Sequence, residues 1–336
     1  MLADRPFDAV LVIAFGGPEG LADIRPFLAN VLRGRRIPSE RVDEVAHHYE
    51  RFGGVSPLTA ITKQQADGLR ARLAAGGLDL PVYLGMRNWH PLLPDTVRTM
   101  ARDGVRRAIG FIGAPHRSYS SCTQYRENVW EARRVVAAQG QPDVSIIYVG
   151  DWHAREGFID ANARHIQVAR EALGPSARDA RLVFTAHSIP LSMPGVERYL
   201  SQLRESARLV AQRLGVPDYS LVFQSRSGRP TDPWLEPDVC AYLRAAAERG
   251  LRAAVLCPIG FLCDHVEVLY DLDYEAAAAA RDCGVTIARA QAVNDDPAFL
   301  DLMAEMVRET WTRYQSGTAL ELRPSPRPLS EASAHS

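Results

Sequence analysis

No apolar stretch in this 336-residue chain approaches the ~20 residues that a membrane-crossing helix needs, so no integral membrane contact is expected. A surplus of either charge is missing too: 39 Lys and Arg stand against 40 Asp and Glu, a formal net charge of −1. That balance leaves no electrostatic footprint for a nucleic acid, which is not expected as a partner. Cysteine is scarce, five in all (Cys122, Cys240, Cys257, Cys263 and Cys283), with no C-x-x-C pair, which argues against a disulfide framework or a zinc knuckle. The opening Met1-Leu2-Ala3-Asp4-Arg5-Pro6 has neither the basic nor the apolar region of a signal peptide, and a cytoplasmic location is expected. A G-x-G-x-x-G phosphate cradle is also missing. Phe15-Gly16-Gly17-Pro18-Glu19-Gly20 departs from it, and Pro18 removes a backbone N–H that such a cradle would use.

What is present is a globular composition, 46% hydrophobic and 24% charged, in a chain long enough for two ordinary domains with a core each. Short β-branched or apolar runs alternate with longer helical patterns along almost the whole length, the pattern of βαβ units and parallel sheets. Eight runs read as strands, at Ala9–Phe15, Val82–Met86, Ala108–Ile112, Val144–Val149, Leu182–Ala186, Ser220–Gln224, Ala253–Cys257 and Val285–Ala288. Helical periodicity fills segments such as Gln64–Leu73, Arg126–Ala138, Ile166–Leu173, Tyr199–Leu214 and Tyr242–Glu248. Four strands fall before residue 150 and four after it, so two similar α/β halves are expected, residues 1–150 and 151–315. The last helix, Pro297–Tyr314, leads into a Ser- and Pro-rich tail, residues 316–336, with too few apolar residues to pack; it is expected to be disordered.

In open parallel sheets, ligands bind beyond the carboxyl ends of the strands. Here those ends carry Arg87-Asn88-Trp89-His90, Gly113-Ala114-Pro115-His116, Gly150-Asp151-Trp152-His153 and His187-Ser188, so a cleft between the halves is expected to be aromatic and polar, suited to a large flat ligand. Two stretches stand out. Phe184–Pro190 is an apolar strand stopping on His187, and Gly260–Glu275 is a loop opening a helix in which Glu267, Asp271 and Glu275 recur every four residues. On an α-helix this spacing stacks three carboxylates on one face, with Asp264 just before them. Like charges repel, so such a row is expected to serve a cation or protons. Alone, a histidine ending a strand is more often structural than catalytic, and Glu267 reads as a complement to the helix dipole. Dipole relief does not reach Asp271 and Glu275. Nearer the N-terminus, Ala22–Arg36 reads as a core-facing helix through Ile24, Phe27, Leu28, Val31 and Leu32; its end carries Arg33, Arg35 and Arg36, either a solvated basic end or a cleft lip that grips ligand carboxylates. Ser56 and Pro57 read as the N-cap and first position of a further helix.

Taken in order, Ala14-Phe15-Gly16-Gly17-Pro18, Tyr49 with Gly53–Leu58, Ser121–Tyr125, Phe184–Pro190, Gln224-Ser225, Pro233-Trp234-Leu235, Pro258–Phe261 and Asp264–Glu267 form a set that resembles the ferrochelatases, most of all the bacterial coproporphyrin ferrochelatases, up to about residue 314. The resemblance implies two Rossmann-like halves, each a four-stranded parallel sheet flanked by helices, with the last helix free to pack back on the first half. It implies a lyase of haem biosynthesis that inserts ferrous iron into a porphyrin held in the cleft. By motif position, His187 and Glu267 match the catalytic pair that faces the ring from opposite sides, and both touch the metal. Asp271 and Glu275 match an acidic metal path. Phe15, Arg33, Ser56, Ser121, Gln124 and Tyr125 match positions around the porphyrin. Phe15 stands where many members carry tyrosine, so no phenolate contact with the metal is implied. His48 and Leu32 occupy positions that are basic in some members.

Insertion must strip water from Fe²⁺, remove two pyrrole N–H protons and bend the ring. A neutral imidazole accepts a proton near pH 7, and carboxylates hold a partly hydrated cation without the permanence of a thiolate cage. Iron is a substrate, and no cofactor is expected. Cys122 resembles one position of a two-iron, two-sulfur cluster in certain members, but the tail beyond residue 314 holds no cysteine to complete four ligands, so no cluster is expected. The expected porphyrin is coproporphyrin III, giving coproheme, with transient contact to neighbouring enzymes of the pathway. The alternatives are protoporphyrin IX, a cobalt or nickel chelatase acting on another tetrapyrrole, and a non-enzymatic haem carrier, against which the acidic row argues.

Overall fold

The strand runs are apolar without alternation because parallel strands are covered on both faces, and their burial follows: all six residues of β1 (Ala9–Ala14) and all five of β7 (Ala253–Cys257) are buried. In the computed structural model, which describes residues 5–34, 38–227 and 231–315, eight parallel strands form two four-stranded sheets. The first comprises β1, β2 (Val82–Met86), β3 (Arg107–Ile112) and β4 (Ser145–Tyr148), in the order β2-β1-β3-β4. The second comprises β5 (Arg181–His187), β6 (Tyr219–Gln224), β7 and β8 (Thr286–Arg289), in the equivalent order β6-β5-β7-β8. The expected α/β class with two Rossmann-like sheets is therefore what forms. In each sheet the direction of winding reverses beside the first strand, which places switch points at the carboxyl ends of β1/β3 and β5/β7. Register pairs Val10 with both Val82 and Ile109, and His187 with Gln224.

The helices are α1 (Ile24–Val31), α2 (Ser39–Arg51), α3 (Pro57–Ala75), α4 (Leu93–Arg102), α5 (Gln124–Ala138), α6 (Glu156–Ala172), α7 (Val196–Leu214), α8 (Val239–Glu248), α9 (Val266–Val268), α10 (Ala277–Asp282) and α11 (Pro297–Gln315). Three depart from expectation. First, α1 is shorter than Ala22–Arg36, and Arg35, Arg36 and the tail 316–336 lie outside the described residues. Second, α2 lay outside the segments singled out as helical, although Val42, Val45, Ala46 and Tyr49 recur at helical spacing and pack into one cluster. Third, the expected α-helix through Glu267, Asp271 and Glu275 is not one: between α9 and α10, Leu269–Ala276 is a π-helix. A π turn takes more residues than the 3.6 of an α turn. Side chains at i and i+4 therefore stand more nearly one above another than on an α-helix, where they step by about 40°.

The halves do not keep entirely separate cores. One cluster joins Val10, Ile109 and Phe111 of the first sheet to Leu182, Phe184 and Val255 of the second, through Trp152, Phe158 and Phe299. Phe299 lies on α11, with its ring 5.4 Å from Trp152 and 6.3 Å from Phe111, so the last helix docks on the first half as well as on α6. Among the described residues no helix is long and apolar enough to cross a membrane.

Candidate active site

The loop leaving β7 crosses β5 so closely that only glycine fits: a Cβ at Gly260 would lie 2.5 Å from the Ala186 Cβ and 2.7 Å from its Cα. Gly260 N–H donates to the Thr185 carbonyl at 3.0 Å. Beyond it, Asp264 locks the loop. Its N–H donates to Asn294 Oδ1 at 2.9 Å, and its carboxylate accepts from Asn294 Nδ2 at 2.8 Å and from Ala292 N at 3.1 Å. The loop thereby delivers Glu267 to the end of β5, with Oε2 4.0 Å from His187 Nε2. His187 Nδ1 lies 2.5 Å from the Ser188 carbonyl, which can only accept, so Nδ1 carries the hydrogen and the neutral ring keeps its Nε2 lone pair toward Glu267. Tyr199 holds the backbone here, donating to the His187 carbonyl at 3.1 Å. Atoms touching opposite faces of a flat ring stand about 7 Å apart, twice a contact distance of about 3.5 Å. At 4.0 Å the two side chains must swing apart to admit a ring between them. His265 packs edge-on to Phe261 beside them, ring centroids 5.2 Å apart, and burial holds its pKa below the ordinary histidine value.

Asp271 follows Glu267 along the π segment. Burial pushes its carboxyl up to about 7; hydrogen bonds from Ser225 and Gln224 oppose the rise, while the charges of Glu267 and Glu275 add to it. Ser225 Oγ and Gln224 Nε2, the latter at 3.3 Å, donate to the same oxygen, Oδ2. Ser225 does so from a left-handed backbone, φ 61°, which a non-glycine residue adopts only at a cost. Glu275 is exposed, yet partial desolvation and the charges of Asp238 and Glu44 raise its pKa as well. The outer face of the segment is covered by α2: His48 stacks on Tyr270 at 3.6 Å, and the Arg51 guanidinium lies 4.0 Å over Tyr274. Among the described residues no three His, Cys, Asp or Glu side chains converge into a closed metal site. The acidic residues form a row, not a cage.

The first half supplies the other wall. Phe15 packs on Phe27 at 6.2 Å, and the Arg87 guanidinium lies 4.4 Å over the Tyr125 ring and 5.7 Å from that of Phe15. Arg87 is steered by Nε donating to Asn128 Oδ1 at 2.6 Å. Tyr125 is buried, which raises its phenol pKa; the Arg87 guanidinium opposes that rise and the Glu267 charge adds to it. Arg33 is exposed and donates to Asn30 Oδ1 at 2.6 Å. Ser56 stands at the N-cap of α3 without making the expected side-chain cap; it is buried against Gly17, where a Cβ would come within 2.6 Å of its own. Ser121 is half-buried and is held by local hydrogen bonds. Its hydroxyl donates to the His116 carbonyl at 2.5 Å and accepts from Ser118 N at 2.7 Å, closing a turn. Gln124 heads α5, half-buried. Sequence reasoning gave no role to Arg87, His265 or Ser225; for Arg87 the signal was its place just past β2.

Comparisons with known proteins bear on the family and the fold. The Ferrochelatase family model matches residues 7–311. A protein of Rhodopirellula baltica named ferrochelatase is 46% identical over 324 residues, covering 95% of this chain and 91% of the relative. Coproporphyrin III ferrochelatases of Nocardia farcinica and Mycolicibacterium smegmatis are 45% and 44% identical, each covering 90% of this chain and 88% and 89% of their own. Among solved structures, SirB from Bacillus subtilis with Fe³⁺ shares the fold, with a TM-score of 0.56 at 13% identity over 91% of this chain and 96% of that one. The sirohydrochlorin chelatase SirB from Bacillus subtilis subspecies spizizenii, in complex with cobalt, gives 0.52 at 12% identity over 91% and 95%.

Proposed function

Because the chain belongs to the ferrochelatase family, we propose that it inserts ferrous iron into coproporphyrin III, forming coproheme and releasing two protons. The observation that supports the mechanism is His187 Nε2 facing the Glu267 carboxylate at 4.0 Å, at the head of an open acidic row. Bound between them, the porphyrin loses one pyrrole proton to His187 Nε2 and the other to Glu267 on the opposite face. Glu275 and Asp271 pass the hydrated cation inward; single carboxylates on a row release iron where a closed site would retain it. Phe15 backs the apolar ring. Arg33, Ser56, Gln124 and Tyr125 serve the ring's carboxylates, with Ser121 acting through the turn it closes. No resident cofactor is required. We place the enzyme in the cytoplasm, passing its product to a neighbouring pathway enzyme by transient contact.

Coproporphyrin carries four propionates and so needs more polar anchors than protoporphyrin, which would turn some of those donors toward vinyl groups. An anaerobic iron-insertion assay with both porphyrins in matched detergent tests the choice. The expected kcat/KM favours coproporphyrin III by at least about tenfold, the equivalent of one charge-assisted hydrogen bond. Equal or better turnover of protoporphyrin IX overturns the substrate and leaves the insertase standing.

A further inference from the structure

Arg289 closes β8, away from the acidic row, yet it grips the segment that carries the row at two places. Its Nη1 donates to Asp264 Oδ1 at 2.6 Å and its Nε to Asp273 Oδ1 at 2.7 Å. The Arg289 and Asp264 side chains are 14% and 12% exposed, so this bridge is shielded from water as an ordinary surface ion pair is not. Asp264 belongs to the loop before Glu267 and is itself fixed by Asn294 and Ala292 N. Asp273 lies within the π turn, two residues from both Asp271 and Glu275, and so faces away from their row. A π turn is a rare backbone state that recurs at functional sites and has the ordinary α-helix as its competitor. Changing between them would rotate Asp271 and Glu275 relative to Glu267.

We propose that Arg289 is a positioning residue for iron delivery: by holding Asp264 and Asp273 together it fixes the turn in the register that keeps Glu267, Asp271 and Glu275 in a row. This rests on the row being the iron path. Lysine keeps the charge but offers a point ammonium in place of the planar fork, and cannot hold both carboxylates in this geometry. Arg289→Lys is therefore expected to raise the apparent KM for Fe²⁺ about tenfold, with kcat and the porphyrin KM each changed by less than about twofold. Asp273→Asn should give the same split. The double variant should be no worse than Arg289→Lys alone, because Asp273→Asn removes one of the two contacts that the lysine already disrupts. Steady-state kinetics under anaerobic conditions, with Asp271→Asn as a parallel arm, decides. If Asp271→Asn raises the iron KM while Arg289→Lys does not, or if the Arg289 and Asp273 effects add independently, the positioning role is wrong. Equal rises in both KM values also refute it. If Asp271→Asn leaves the iron KM unchanged, the iron-path reading fails, and the role of Arg289 with it.

Discussion

At the scale of single residues, the tautomer of His187 decides which ring nitrogen is available as a base. Its Nδ1–H is committed to the Ser188 carbonyl, so Nε2 is the ring's one free base. His187→Ala should lower kcat by about 10²–10⁴-fold, the usual worth of a placed proton acceptor, while porphyrin binding, followed by fluorescence quenching, stays near that of the parent. Near-parent turnover in that variant would remove His187 from the mechanism. Glu267→Gln keeps shape and loses charge, and should depress kcat more than it raises KM. That these two residues meet was legible in the sequence, because each ends or opens an element with a recognisable pattern and few residue types can take a proton or face a hard cation. Ser121 was not. Which atom a serine hydroxyl serves depends on turn geometry, here the His116 carbonyl, and no spacing rule reveals that.

At the scale of elements, the π segment sets the pH response. Asp271 has its carboxyl raised from 3.8 to about 7, chiefly by burial. Its charged form is thus disfavoured in the folded protein, and stability is lost as pH climbs from the ordinary carboxylate value toward 7, where the folded state binds more protons than the unfolded one. For iron the sign is opposite, since only the ionised carboxylate attracts Fe²⁺. The apparent KM for Fe²⁺ should fall between pH 6 and pH 8. Asp271→Asn should flatten both trends; an unchanged pH profile of the iron KM in that variant would exclude Asp271 as the titrating group. The four-residue spacing revealed the row but not the π turn, because side-chain periods near four fit either helix. Both α2 and α4 are amphipathic, α2 through Val42, Val45, Ala46 and Tyr49 and α4 through five buried residues; their stripes are short, and charged or polar residues fill the rest of each helix.

At the scale of the whole molecule, the chain's two sheets wind alike without a visible sequence repeat, because parallel strands ask only for apolar, β-branched residues and many sequences satisfy that. The eight strands were therefore legible, while the shared core was not: nothing local announces that Phe299 of the last helix will meet Trp152 and Phe111. That contact makes a thermodynamic prediction. Since one cluster runs through both sheets, the halves should unfold together, with tryptophan fluorescence and far-ultraviolet circular dichroism giving coincident urea transitions. Phe299 is fully buried, and truncating such a phenylalanine costs about 3–5 kcal/mol. Phe299→Ala should therefore move the entire transition to lower denaturant with little change in slope. Two separated transitions, of which only one shifts, would mean that the halves hold independent cores and that α11 serves just one of them.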